Sequence, residues 1–342
     1  MRAMVFNEFG GPSVIRIAEI AEPRAKPHEV LIKVCACGVC GHDALERTGI
    51  MKRNVEFPMV LGHEVAGEVV EIGSAVQSLK VGDRVACLQR QPCGACYYCR
   101  RGQDASCRNN RFFGHKGHTG GYAEFMAASE RSLVKLPENI PYEQGAVLAC
   151  TVGTIFHGLR GEASLQPGET VLVTGAGGGL GINSIKLAKV FGAFVVAQTT
   201  SEEKVEALKA AGADQVVVSS GNFHDEVTEM TGGHGIDVVV DNVGAPVFKT
   251  AFRTLAPYGR YLVIGQVTGD SVSFNLAFLI QKGVRLIGAK STHWSELKDL
   301  VDMTARGLFT PAVGERMPLE DAARAHEMLE TRKTTGRIVL VP

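Results

Sequence analysis

The chain has 342 residues, which is enough for two domains with a sizeable hydrophobic core. Lys plus Arg and Asp plus Glu number 36 each, so the formal net charge is zero. This balance argues against nucleic acid or a membrane surface as the main partner, because both favour a basic excess. The sequence has no apolar run of roughly 18 residues and no signal-peptide pattern, so we expect a cytoplasmic protein with reduced cysteines.

Residues 28–150 show short apolar runs between glycines, a pattern typical of strands in a mostly-β region. Cys40 lies in GVCGHD, His63 and Glu64 lie in GHEVAGEVVEIG, and Cys150 lies in LACTVGT at the end of the region. Taken singly, such a cysteine or histidine is more often a packed core residue. Two thiolates and an imidazole with one position left open are together typical of a catalytic zinc site.

A second candidate site lies in PCGACYYCRRGQDASC and contains Cys93, Cys96, Cys99 and Cys107. Four closely spaced thiols form the closed tetrahedral shell of a structural zinc. Disulfides would need an oxidising compartment. An iron–sulfur motif of this type has three residues before its last cysteine and a proline after it, whereas here seven residues intervene and Arg108 follows. The spacing therefore favours a structural zinc.

From about Thr151 apolar segments alternate with amphipathic helical ones. Strands that are apolar at every position, separated by helices, predict a doubly wound parallel sheet covered on both faces. The predicted strands are 169–175, 193–198, 215–218, 235–244, 260–265 and 284–289, and the predicted helices are 179–193, 201–213, 223–232 and 246–259. Two further helices and the strand GRIVLVP follow Ser291, and we expect this tail to return to the first domain.

A glycine-rich turn joins the first of these strands to its helix. Gly175, Gly178, Gly179 and Gly181 would let the backbone approach a pyrophosphate at the N-terminus of the helix. The spacing is not a strict G-x-G-x-x-G, so the strand and helix around it carry the prediction of dinucleotide binding. Gly265, which ends RYLVIG, is assigned to the same cofactor site.

The end of the next predicted strand indicates which cofactor is preferred. An NAD site usually has Asp or Glu there, bound to the ribose hydroxyls. This chain instead has neutral Thr199 and Thr200, followed by Ser201 and Lys204, which are suited to a 2′-phosphate. The sequence favours NADP(H) over NAD(H), with Lys204 as an ordinary solvated helix residue being the alternative.

These motifs together resemble the zinc-dependent medium-chain alcohol dehydrogenase/reductase family over essentially the whole chain. The resemblance implies a GroES-like catalytic domain, residues 1–150 with 292–342, and a Rossmann domain, residues 151–291. It implies a catalytic zinc on Cys40, His63 and Cys150, with Glu64 as an exchange ligand and Asp43 orienting His63. It further implies two zinc ions per chain and cofactor contacts from Thr154 and Arg337.

The resemblance also implies the reaction and the assembly. It implies reversible hydride transfer between an alcohol and an aldehyde or ketone, in a homodimer or homotetramer. His42 replaces the family's usual Ser or Thr proton relay, and imidazole is suited to that role because it titrates near neutral pH. The glycine turn and the TTSEEK segment are closer to NADPH-dependent quinone and enoyl-thioester reductases, which remain the alternative. A non-enzymatic zinc module would leave the parallel sheet unexplained.

Overall fold

A computed structural model describes residues 1–52 and 55–342. These residues form two compact units, residues 1–153 with 292–342 and residues 154–291. The first stretch of the first unit thus extends to Gly153, three residues beyond the boundary at residue 150 that the sequence predicts. Within the described part of the chain, no helix has both the length and the apolar character needed to cross a lipid bilayer.

The first segment of the first unit is built mainly from strands. They are β1 (Arg2–Phe6), β2 (Arg16–Glu19), β3 (Glu29–Gly38), β4 (Met59–Val60), β5 (Glu64–Ile72), β6 (Arg84–Cys87), β7 (Arg90–Gln91), β8 (Arg111–Phe112), β9 (Phe125–Ser129) and β10 (Leu133–Lys135). Helix α1 (Gly41–Arg47) follows β3, and α2 (Tyr142–Val147) follows β10. Most residues of β3 are buried on both faces, which matches its nearly continuous apolar sequence.

The second unit alternates strands with helices. After α3 (Gly153–Phe156) come β11 (Thr170–Val173), α4 (Gly179–Val190), β12 (Phe194–Thr199), α5 (Val205–Ala210), β13 (Gln215–Val218), α6 (His224–Met230), β14 (Ile236–Asp241), α7 (Ala245–Arg253), β15 (Leu255–Val263), α8 (Ala277–Lys282) and β16 (Arg285–Gly288). The strands are all parallel, in the order β13-β12-β11-β14-β15-β16. This order reverses next to β11, as in a doubly wound nucleotide-binding sheet, so the predicted architecture is confirmed.

The predicted boundary between the helix over 246–259 and the strand over 260–265 is wrong. The sequence predicts a helix over 246–259, but α7 ends at Arg253 and β15 begins at Leu255. Pro257 lacks a backbone N–H and disfavours helical geometry in the residue before it. Leu255 instead lies opposite Ile236 at the start of the parallel pairing with β14.

The last segment of the chain belongs to the first unit. It contains α9 (Trp294–Ala305), β17 (Val313–Pro318), α10 (Ala322–Glu330) and β18 (Arg337–Val341). Strand β18 runs antiparallel to β3, with Val339 opposite Gly38, and parallel to β17. The resulting sheet has the order β10-β6-β5-β3-β18-β17, with β9 paired to β3. This pairing places Arg337 near the end of β3, the strand that precedes Cys40 in the sequence.

Candidate metal centres and cofactor-binding loop

Four potential metal ligands from separate parts of the first unit converge on one buried point. One ligand atom each of Cys40, His63, Glu64 and Cys150 lies within 4.8 Å of the others. Cys40 follows β3 and precedes α1, and His63 and Glu64 stand at the start of β5. Cys150 lies in the helical segment after α2. The antiparallel pairing of β3 with β5 places Gly38 opposite Glu64 and so brings the first three residues together.

The buried guanidinium group of Arg337 holds the Glu64 carboxylate. Its Oε1 accepts a hydrogen bond from Thr151 Oγ1 at 2.9 Å and lies 3.1 Å from a guanidinium nitrogen of Arg337. Its Oε2 is buried and has no hydrogen-bond partner among the described residues. A Cβ on Gly38 would lie 2.2 Å from this oxygen, so only glycine leaves room for it. An orphaned carboxylate oxygen at this point fits a bound cation.

Burial and neighbouring charges shift the pKa values of the two thiols and the carboxylate of this cluster. A hydrogen bond from the Cys150 thiol, with the Arg337 and His63 charges, lowers the pKa of Cys40 well below its usual value. The same contact raises the pKa of Cys150, and burial adds to the effect. Burial raises the pKa of Glu64 to about 7, although Arg337 opposes this shift. The cluster therefore contains more acidic groups than its single guanidinium can neutralise.

The donor set matches the requirements of zinc. Thiolate, imidazole and carboxylate are all zinc ligands, at distances of about 2.0–2.3 Å. A tetrahedron of that size keeps its donors within about 4 Å of one another, close to the observed clustering. A divalent cation would also neutralise both thiolates, since a coordinating thiol is deprotonated outright.

A line of hydrogen bonds leads away from His63 into the core of the first unit. Asp43 Oδ1 lies 3.0 Å from His63 Nδ1, and Asp43 Oδ2 accepts a hydrogen bond from the backbone N–H of Cys40. Tyr122 donates from its hydroxyl to Asp43 Oδ2 at 3.3 Å, and the same hydroxyl lies 3.1 Å from His326 Nε2. All four side chains are buried. The predicted contact between Asp43 and His63 is therefore present in the structure, although the effect assigned to it stays a prediction.

A second group of polar residues surrounds His42. Glu46 Oε1 lies 3.1 Å from His42 Nε2 and also contacts His115 Nε2. The Phe112 ring packs against the rings of His42, His63 and His115, with centroids 5.0 to 5.1 Å apart. Burial disfavours ionised Glu46, but hydrogen bonds to His115 and His42 outweigh burial and lower the pKa of Glu46 to about 2. Glu46 is thus an ionised acceptor that holds both imidazoles.

The four predicted structural ligands lie together in a lobe with little regular structure. One sulfur atom each from Cys93, Cys96, Cys99 and Cys107 lies within 4.8 Å of the others. Two single turns of 3-10 helix, Cys99–Arg101 and Asp104–Ser106, connect them. Backbone hydrogen bonds from Cys99 and Arg108 lower the pKa of Cys96 to about 6, which favours a thiolate ligand. The arrangement fits a closed four-sulfur zinc site.

The predicted glycine turn of the second unit lies between β11 and α4. Gly175 adopts a positive φ of 56°, and a Cβ on Gly181 would lie 2.4 Å from the Gly175 carbonyl oxygen. These two positions therefore need glycine, one for the turn and one for close packing of helix on strand. Gln198 Oε1 accepts a hydrogen bond from Gly175 N–H, which fixes the loop to the end of β12.

Most of the other predicted cofactor residues belong to the second unit, and those that follow β12 lie beside this loop. Thr199 is buried and accepts a hydrogen bond from Ser201 N–H, whereas Thr200 is exposed. The Lys204 side chain crosses the loop, since a Cβ on Gly177 would lie 2.5 Å from its Cδ. Gly265 N–H donates to the Asp241 carbonyl at the end of β14. Thr154 lies in α3, at the start of the unit.

Comparisons with known proteins cover both units. Residues 26–138 match the family "Alcohol dehydrogenase GroES-like domain", and residues 179–306 match "Zinc-binding dehydrogenase". The chain is 36% identical over 341 residues to acryloyl-coenzyme A reductase of Metallosphaera sedula, covering 99% of each chain. It is 34% identical to NAD-dependent alcohol dehydrogenase of Sulfurisphaera tokodaii over 100% of both.

These matches decide the family. The chain belongs to the zinc-type medium-chain dehydrogenase/reductases. Its fold is likewise similar to the solved structure of AibC, with a TM-score of 0.93 and 43% identity over 100% of this chain and 96% of that one. The predicted GroES-like and Rossmann fold is thus confirmed, and the chain is an oxidoreductase.

In this dehydrogenase/reductase family member, Arg337 contacts residues of the candidate metal centre. The family resemblance assigns Arg337 to the cofactor, but its guanidinium is buried in the first unit and contacts Glu64, Thr151 and the Val39 carbonyl. Sequence reasoning missed Tyr122, His326 and Glu46. The available signal was a histidine on the buried face of α10, beside Ala322 and Ala325, where an apolar residue is expected.

Replacing Cys99 with Ser should remove one metal ion and loosen the lobe, because the lobe has few buried apolar residues besides its sulfurs. We expect the zinc content to fall by one ion per chain and trypsin to cut at Arg100, Arg101 or Arg108. Cys35→Ser is the matched control, since Cys35 is a half-buried thiol outside both clusters. An unchanged metal content together with an unchanged cleavage pattern would contradict the lobe assignment.

Proposed function

We propose that this oxidoreductase transfers hydride reversibly between an alcohol or carbonyl substrate and a nicotinamide cofactor, using zinc at Cys40, His63 and Cys150. The observation that carries the proposal is the convergence of these side chains, with Glu64, on one buried point. A second zinc in the four-cysteine lobe would have a structural role. The alcohol dehydrogenase relatives support the same reaction class.

The protein residues around the metal would bind and orient it. Zinc supplies Lewis acidity toward a substrate oxygen when three protein ligands leave a fourth position open. Asp43 would hold the His63 ring so that Nε2 faces the metal. Arg337 would hold Glu64 by its charge, which leaves the carboxylate close enough to act as an exchange ligand.

His42 would hold the proton that the reaction exchanges with solvent. Its side chain is about one-third exposed, and its Nε2 is engaged by Glu46. Nδ1 is then the nitrogen that remains for a substrate hydroxyl or water. Imidazole is suited to this exchange because one ring nitrogen can accept a proton while the other donates one.

NADP(H) is the cofactor that the second unit supports best. The nicotinamide would supply or accept the hydride. The end of β12 presents Thr199, Thr200 and Ser201 instead of a carboxylate. The Lys204 stem lies over the glycine loop, where an ammonium group would favour phosphate. NAD(H), named for several relatives, is the alternative.

A second candidate function is reduction of a conjugated acyl thioester. Two relatives, 36% and 32% identical, are acryloyl-coenzyme A reductases. Arg100, Arg101, Arg108 and Arg111 are exposed around the lobe and could contact the phosphates of such a substrate. Arg90, which precedes the lobe in the sequence, donates inward to the Ala105 carbonyl and is not part of this exposed group. A thioester also carries a carbonyl oxygen, so the same metal could polarise it.

A substrate screen separates the two functions. The zinc-loaded protein would be given NADPH or NADH with a saturated aldehyde, a saturated ketone or crotonyl-coenzyme A, and each product would be identified by mass spectrometry. We expect alcohol products from the aldehyde or ketone, and no turnover by the Cys150→Ser variant, which lacks a thiolate ligand. Cys35→Ser serves as the active control. Reduction confined to the carbon–carbon double bond would favour the second function instead.

Replacing Thr199 with Asp should shift cofactor preference toward NAD(H). A carboxylate at the end of β12 would accept hydrogen bonds from the ribose hydroxyls and repel a 2′-phosphate. We expect the ratio of kcat/KM for NADPH to that for NADH to fall at least about tenfold, or about 1.4 kcal/mol. Gln215→Glu adds the same charge at an exposed position and is the control. A ratio equal to that of the wild type would remove Thr199 from the ribose site.

We further propose a homo-oligomer assembled through β16. This strand ends the parallel sheet, so one of its backbone edges is available for pairing. Leu276, Phe278, Ile280 and Leu286 are exposed on or beside it. Analytical ultracentrifugation should find a dimer or tetramer, and Leu286→Lys should lower the fraction assembled. Leu308→Lys, at an exposed site in the first unit, should not. A wild-type monomer at all concentrations would contradict the proposal.

A further inference from the structure

We infer that Tyr122 and His326 are positioning residues that fix the tautomer and orientation of His63 and so retain the metal at its site. They lie beyond Asp43 in the line His63–Asp43–Tyr122–His326. The inference rests on the proposed function, because it takes Cys40, His63 and Cys150 as the ligands of a zinc ion.

The hydrogen atoms along this line can be assigned from the acceptors. An ionised Asp43 only accepts, so the single hydroxyl proton of Tyr122 is best used on Asp43 Oδ2. The Tyr122 oxygen can then accept from His326 Nε2–H. His326 Nδ1 is buried and has no partner in the described residues, which fits a bare ring nitrogen rather than a second N–H.

This direction of donation has a consequence for the metal ligand. With Oδ2 held by Tyr122 and by Cys40 N–H, Asp43 presents Oδ1 to His63 Nδ1. His63 Nδ1 then carries the proton, and Nε2 keeps its lone pair for the metal. Removing the Tyr122 hydroxyl would leave Asp43 Oδ2 with one donor fewer and let the carboxylate rotate away from His63.

Packing supports the same role independently of the hydrogen bonds. The Tyr122 ring lies against the backbone of Gly62, where a Cβ would be 2.5 Å from its Cδ1. Tyr122 N–H also donates to the Leu61 carbonyl at 2.9 Å. Tyr122 thus abuts the residue just before His63, and His326 fixes its hydroxyl end from α10.

Helix α10 is also attached to α1 one turn further along. Arg47 of α1 pairs with Glu330 of α10, four residues after Asp43 and His326 respectively. Helix α1, which follows Cys40, is therefore held to α10 at two places, through Tyr122 between Asp43 and His326 and through the Arg47–Glu330 pair. The competing explanation is that Tyr122 and His326 merely satisfy each other as buried polar groups, in which case neither would affect the metal.

The test is the rate at which each zinc ion passes from the zinc-loaded protein to a chromophoric chelator. Cys99→Ser and Cys150→Ser assign the two release phases to the lobe and to the buried site. Loss of a direct partner of a ligating histidine typically weakens metal binding about 10- to 100-fold. For Tyr122→Phe, one step further out, we expect release from the buried site to accelerate about three- to tenfold, with the lobe phase unchanged.

Two variants separate positioning from general loosening. Tyr261→Phe removes a buried tyrosine hydroxyl that donates to Asp241 in the second unit, and it should leave both phases at the wild-type rate. His326→Leu should accelerate release from the buried site, whereas His326→Gln should restore it because the amide can still donate to Tyr122.

The double variant shows whether Tyr122 acts through Asp43. In the Asp43→Asn background Tyr122→Phe should change the release rate by less than twofold, since the carboxylate acceptor is already gone. A wild-type release rate in Tyr122→Phe, or equal acceleration in both backgrounds, would overturn the inference. A wild-type protein that holds zinc only in the lobe would instead overturn the proposed function.

Discussion

The central constraint on the first unit is that it buries several charged groups together. Asp43, His63, Glu64 and Arg337 are all nearly inaccessible to water, and Cys40 is buried beside them. Removing an ion from water costs several kcal/mol unless it is paired and hydrogen-bonded. Arg337 neutralises one carboxylate, and His63 pairs with the other. A divalent cation among the thiols would neutralise what remains, so metal binding and the stability of this core are expected to be linked.

The fold meets this constraint by joining segments that are far apart in sequence. Strand pairing of β3 with β5 sets Cys40 beside His63 and Glu64, and β18 carries Arg337 to the same end of β3. The C-terminal segment supplies Arg337 and His326, so the site needs both ends of the chain. The lobe differs, because its four sulfurs come from a span of 15 residues and need little of the surrounding fold.

That contrast explains how much could be predicted from the sequence. The spacing of Cys93, Cys96, Cys99 and Cys107 suggested their clustering, and apolar periodicity identified the parallel sheet. Cys40, His63 and Cys150 could be grouped only as a set of residue types typical of zinc, which the family resemblance then supported, since local patterns carry no information on how β3 meets β5. Tyr122 and His326 were missed because a buried tyrosine and histidine look like core residues until their partners are known. The helix predicted over 246–259 is too long because apolar periodicity alone does not reflect the helix-disfavouring effect of Pro257.

A metal held by Cys40, His63 and Cys150 in this chain would be compatible with either proposed substrate class, since alcohols, ketones and acyl thioesters all present an oxygen. The central claim is that Cys40, His63 and Cys150 hold a zinc ion. Anomalous diffraction at the zinc absorption edge, on crystals of protein purified without chelator, tests it most directly. The account predicts two peaks per chain, one among Cys40, His63 and Cys150 and one in the four-cysteine lobe. A single peak, in the lobe alone, would contradict it.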